Sequence, residues 1–250
     1  MDYTFRLSKG PEFFNELANH PRIHKAIAQY GQGVIDLAPV WDRCMGFEWP
    51  EGGFFLVQLD DDGLYEAHTL FRKGGRRVRE YSAQVSHFLF TRTDCTLITT
   101  RVPETLPLAT RLALDSGFTY DYRLKSLWRI GESELCDMDH LSMDCSRWIA
   151  SSKDMQDAGE MFHDRLVSAG VEKDHCDDPI HDRFAGYLVT CSTSGHFWKG
   201  AYFYNRWAAS AGYRNLIPSS DGRAVTFDGV RIQLNADGSD YEVQRCQPEQ

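Results

Sequence analysis

The chain has 250 residues, 42% of them hydrophobic and 25% charged, with a formal net charge of −9. That is the composition of a globular protein with room for one large domain or two small ones; no apolar run reaches the roughly 20 residues of a membrane helix, and the opening MDYTFRLSKG lacks an apolar signal-type core. Residues 1–131 carry 16 acidic and 16 basic side chains, and residues 132–250 carry 20 and 11, the wrong sign for a general nucleic-acid binder, so a cytoplasmic protein without a nucleic-acid or membrane partner is expected.

In chain order, residues 3–8 read as an opening strand. PEFFNELANHPRIHKAIAQY reads as helix interrupted near Pro21. FFLVQL (54–59) and LYEAHTLF (64–71) read as a hairpin turned by Asp60-Asp61-Asp62-Gly63. In its second strand Tyr65, Ala67 and Thr69 share one face, and Glu66, His68 and Leu70 the other. Val78, Tyr81, Val85, Phe88 and Leu89 form one apolar stripe, which predicts a helix over 77–90. TLITTRV (96–102) is a β-branched strand. PLATRLALDSGF follows as a helix with Pro107 at its first position and Gly117 beyond its end. Residues 118–130 alternate as two short strands or one long bent one.

The texture changes near Gly131, which divides the sequence into an α/β part, 1–131, and an α+β part, 132–250. LSMDCSRWIASSKDMQDAGEMFHDRLVSAG reads as mostly helical, GYLVTCSTSG as a strand or a buried segment, and FWKGAYFYNRWAASAGY as a helix buried on all sides. Asp228-Gly229 and Asp237-Gly238 mark turns of an antiparallel meander in the tail.

LFRKGGRRVRE (70–80) places two glycines and five positive charges between a strand and a helix N-terminus. Small residues there let the backbone approach a phosphate, and the helix end favours the anion. A solvated basic loop is the plainer alternative. Glu66 and His68, two apart on one strand face, suit a proton transfer or simply a half-solvated polar pair.

Taken with YEAHTLF, HFLFTRTDCTLITTRVP and RVPETLPLATRLALDSGF, this order of elements over residues 1–131 resembles the GNAT N-acetyltransferase family. It looks most like the GNAT-like proteins of tailed bacteriophages, some of them virion components. The resemblance implies a mixed sheet flanked by helices, with acetyl-CoA lying in a splay between the fourth and fifth strands. The positions it assigns to the cofactor are Leu70, Phe71, Gly74, Gly75, Arg76 and Arg77, and to catalysis Glu66 and His68. Three positions depart from the pattern. Arg77 stands where a small residue of the phosphate loop belongs, Leu106 where an Asn commonly contacts the cofactor, and Ala113 where a Tyr commonly protonates the leaving thiolate. These departures lead to the expectation of a structural or virion-associated protein with lost or weak acyl transfer, whose partners are its own copies or other phage virion proteins. The alternative is an acetyl-CoA-dependent N-acyltransferase.

His163-Asp164-Arg165 and His181-Asp182-Arg183 flank His175 and Cys176. The His, Cys and Asp side chains are zinc-ligand types without the spacing of a zinc module, so no metal is assigned and a polar network joining two helices is the expectation; metal binding, and a hydrolase site built from His181 and Asp182 without an obvious nucleophile, are the alternatives. The seven cysteines include no CxxC pair and read as reduced thiols.

Overall fold

The computed structural model of the chain describes residues 3–59, 63–72, 76–170, 178–213, 215–227 and 230–246. The chain forms two compact units: residues 1–87 with 95–144, and residues 88–94 with 145–250.

The first unit is built on a seven-stranded mixed sheet flanked by helices, the GNAT-like α/β class expected from the sequence. Its strands are β1 (Arg6–Leu7), β2 (Cys44–Trp49), β3 (Gly52–Gln58), β4 (Leu64–Phe71), β5 (Leu97–Pro103), β6 (Thr119–Arg129) and β7 (Leu135–Asp144). The spatial order is β1-β2-β3-β4-β5-β7-β6. Among the described residues only β4 and β5 pair in parallel; β3–β4 is the predicted hairpin, although its tip, 60–62, lies outside the described residues. Helices α1 (Glu12–Asn19) and α2 (Pro21–Ile27) break at Pro21 as expected. Phe14, Leu17, Ala18 and Ile23 of these helices pack on Phe55 and Leu70 of the sheet. The opposite face receives residues 76–87 of α3 (Arg76–Arg92), whose Tyr81 stacks on Trp49 at 4.2 Å between centroids. Helix α4 (Pro107–Asp115) begins at Pro107, and Gly117 just past its end takes φ +98°, the left-handed value that glycine adopts without strain.

Two strands depart from the sequence reading. β2 has no counterpart there, because its last four residues, Gly46, Phe47, Glu48 and Trp49, are all buried and give no alternation, while Cys44 and Met45 are partly covered. Residues 141–144, read as the start of a helical stretch, are the end of β7, held between β5 and β6. Gly131, where the composition changes, lies in the connection between β6 and β7.

The second unit has helices α5 (Cys145–Ser151), α6 (Lys153–Ser168), α7 (Pro179–Thr193) and α8 (Phe197–Ala211). A four-stranded antiparallel sheet follows, with β8 (Ile217–Pro218), β9 (Ala224–Phe227), β10 (Val230–Leu234) and β11 (Tyr241–Arg245) in the order β11-β10-β9-β8. The last three strands are the predicted meander. GYLVTCSTSG is the end of α7; burial on nearly every side removes the helical period that would have marked it. α8 is less buried than its sequence implies, since Trp198 and Tyr202 are 57% and 56% exposed. Ser152 and Asp178 cap α6 and α7 by accepting from the backbone N–H groups of Met155 and Ile180. Among the described residues no helix is long and apolar enough to cross a membrane.

Candidate active site

β4 and β5 pair at Leu64–Leu97, Tyr65–Ile98 and Glu66–Thr99, where the ladder stops. β4 runs on to Phe71 and β5 to Pro103, so the two strands fork after Glu66. At the crotch Thr100 Oγ1 donates to the carbonyl of Ala67 at 3.0 Å.

One sheet face beside this fork gathers the polar side chains. Glu66 is buried, and both of its oxygens accept from Arg101, Oε1 from Nε at 2.9 Å and Oε2 from NH2 at 2.6 Å. This bidentate geometry is the strongest a guanidinium and a carboxylate form. It makes Glu66 an anchor for Arg101 and leaves neither oxygen idle. His68 lies parallel to Phe55, with centroids 4.6 Å apart, and its Nε2 is 3.9 Å from Glu66 Oε1. Burial of the ring pushes its pKa below the ordinary imidazole value; the Glu66 charge opposes that shift and the Arg101 charge adds to it. His68 is therefore neutral at pH 7 and able to accept a proton.

Between the lowered folded value and the ordinary 6.5, His68 binds fewer protons in the folded chain than in the unfolded one. Stability of the first unit should rise with pH across that window and fall as pH drops through it. Chemical denaturation at pH 5.5 and 7.5 measures this, and His68→Gln should flatten the difference.

Further along the same face β7 carries His140 opposite Arg101 of β5 and Tyr122 of β6. The His140 and Tyr122 rings stack at 4.5 Å and 4°. His140 Nδ1 lies 3.0 Å from Asp121 Oδ2, and Ser142 Oγ donates to Asp121 Oδ1 at 3.0 Å. Arg101, Asp121, Tyr122, His140 and Ser142 are absent from the sequence reading. Each lies on a strand as one polar residue among others, and only the register aligns them.

The expected cofactor positions divide. Gly74 and Gly75 lie outside the described residues, and Arg76 begins α3. The Leu70 side chain packs into the core with Phe14, so a ligand can meet only its backbone. Phe71 is half-buried and stacks on Tyr81 at 6.0 Å. Arg77 is 73% exposed and sits 3.5 Å from Glu51. Arg72 pairs with Glu16, and Arg79 with Asp115 at the end of α4.

In the second unit His163, His181 and Asp182 are buried, with possible ligand atoms within 4.8 Å of one another. His163 Nδ1 meets Asp182 Oδ1 at 2.6 Å, and His181 Nε2 meets the Tyr204 hydroxyl at 3.1 Å. Burial pushes the Asp182 carboxyl upward, and the neighbouring His163 pulls it back. The two imidazoles lie parallel, 4.9 Å apart at 11°. Stacked rings aim their nitrogens along separate planes, which suits hydrogen bonding better than shared coordination of one ion. His175 and Cys176 lie outside the described residues.

No protein-family model matches the chain, and no curated protein matches it. Among solved structures, the spermidine N-acetyltransferase of Vibrio cholerae in complex with CoA and spermine is similar at 15% identity and TM-score 0.48, over 58% of this chain and 98% of that one. A chimera of the Vibrio cholerae enzyme is similar at 15% identity and TM-score 0.48, over 59% and 99%.

Proposed function

We propose that the first unit is an acyl-CoA-dependent N-acyltransferase. The observation that carries this reading is the fork between β4 and β5, bordered on one sheet face by the Glu66–Arg101 pair and the neutral His68. Strands that diverge leave backbone N–H and C=O groups unengaged by the ladder, and a pantetheine-like amide chain is a ligand that pairs with such groups. Acetyl-CoA fits this frame: the backbone of β4 through Leu70 and Phe71 takes the extended arm, and Arg76 and Arg77 meet its phosphates through charge, in place of a small-residue cradle. When bound, the thioester supplies an activated acyl carbon. His68 accepts a proton from the acceptor nitrogen as it attacks, and Arg101, held by Glu66, keeps a fixed positive charge beside it.

Calorimetric titration with acetyl-CoA tests the reading. Low-micromolar affinity is expected. No binding at millimolar ligand would overturn it and favour a structural role, such as that of a virion component assembled with its own copies. Replacing Arg76 and Arg77 together with alanine should weaken binding about tenfold at low salt, with the difference shrinking as salt rises, because exposed phosphate contacts are screened. An unchanged affinity would show that the basic patch serves another partner.

A further inference from the structure

We propose that His140, carried by Asp121, is the base that turns the arriving ammonium group into a free amine, an assignment that rests on the acyltransferase reading. The chemistry calls for two proton transfers from nitrogen. A protonated primary amine carries three N–H protons and its amide product carries one. The ammonium has no lone pair, so one proton must leave before attack. The second leaves as the new C–N bond forms and the C–S bond breaks. The electron pair of that broken bond ends on sulfur, which takes up one proton, while the other proton reaches solvent. His68 beside the fork suits the second transfer. The first needs another acceptor on the same face.

The structure builds one. β6 and β7 pair Tyr120 with Leu141 and Tyr122 with His140, so Asp121 is an extra residue in a β-bulge. A bulge breaks the alternation of side chains and re-aims one of them. Here it brings Asp121 to the face of Tyr122, where its oxygens meet His140 Nδ1 and Ser142 Oγ, both at 3.0 Å. Asp121 thus holds the tautomer in which Nδ1 carries the proton and Nε2 the lone pair. The parallel Tyr122 ring fixes the imidazole plane.

The charges around the dyad favour the same role. Arg101 of β5 lies opposite His140, but its charge is matched by Glu66 of β4. His68 of β4 is neutral at pH 7, since its pKa is lowered by burial. Among the described residues the side-chain partners of Asp121 of β6 are the His140 imidazole and the Ser142 hydroxyl. Its negative charge is therefore available to stabilise the imidazolium that forms when His140 takes a proton, and to attract a cationic acceptor. His140 is the catalytic residue in this scheme, and Asp121 the positioning residue.

The test uses the full chain with acetyl-CoA and propylamine as the acceptor probe. His140→Gln should lower the rate about 100-fold at pH 7. The deficit should narrow as pH approaches about 10, where an alkylamine loses its own proton. His68→Gln should lose rate without that recovery. Nitrogen NMR of the ligand-free chain should show His140 protonated on Nδ1, and Asp121→Asn should remove that preference. A His140→Gln variant with the wild-type rate and pH profile would overturn the proposal, as would an Nε2-protonated His140. If either appears while calorimetry still shows acetyl-CoA binding, the dyad assignment alone fails. If wild-type chain binds no acetyl-CoA, the acyltransferase reading falls and takes this one with it.

Discussion

Gly159→Ala and Gly186→Ala should each unfold the helical part of the second unit. A Cβ built on Gly159 would lie 1.9 Å from the backbone oxygen of Asp182, and one on Gly186 would lie 1.9 Å from the backbone oxygen of Met155. Both obstacles are main-chain atoms of the facing helix, so no side-chain rotation relieves the overlap. α6 and α7 would have to separate. That separation pulls apart His163 and Asp182, now 2.6 Å apart, and leaves their buried polar atoms without partners. Overpacking a core costs about 1–3 kcal/mol where side chains can yield; with backbone on the other side the expected loss is about 4 kcal/mol or more. Hydrogen exchange resolved along the chain measures it, because protection should fall in α6 and α7 while the strands of the first unit keep theirs. Gly33→Ala is the control, since nothing lies within 4 Å of the added atom. Intact protection of α6 in Gly159→Ala would show that the helices are not in this close contact.

Arg101→Ala should cost more stability than Glu66→Ala. The carboxylate is only 7% exposed and the guanidinium 45%. Removing Arg101 leaves a buried charge without its partner, at about 3 kcal/mol. Removing Glu66 leaves a guanidinium that water can solvate, at about 1 kcal/mol. The double variant should cost less than the sum, which a double-mutant cycle measures directly. The two single changes should also move His68 in opposite senses. Glu66 holds the His68 pKa up and Arg101 holds it down. Arg101→Ala should therefore raise the pH at which His68 titrates by NMR, and Glu66→Ala should lower it. Equal costs and an unmoved His68 would mean that the pair does not form in solution.

Local pattern carried much of the first unit. The hairpin strands, α3, β5 and α4 lie where alternation, the 3.6-residue stripe, Pro107 and Gly117 place them. It failed where both sides of an element are buried. β2 and the end of α7 lack the contrast between an inner and an outer face, and that contrast is what a period reports. The site was legible in part. Glu66 and His68 share a face as the period of two requires, yet nothing local announces that Arg101 occupies both oxygens of Glu66.

The sequence by itself determined the α/β class of the first unit, the break at Pro21, the meander of the tail and the pairing of Glu66 with His68 on one strand face, since each follows from the chemistry of neighbours in the chain. Tertiary structure alone decided which side chains meet. The strand order puts β7 beside β5, the register sets His140 against Arg101 and Tyr122, and a single extra residue in β6 turns Asp121 toward His140. In the second unit two glycines bring α6 and α7 close enough for His163 to reach Asp182. The physical reason is the same in both units. Period fixes the direction of a side chain relative to its own strand or helix, whereas its partner is chosen by pairing and packing between segments far apart in the chain.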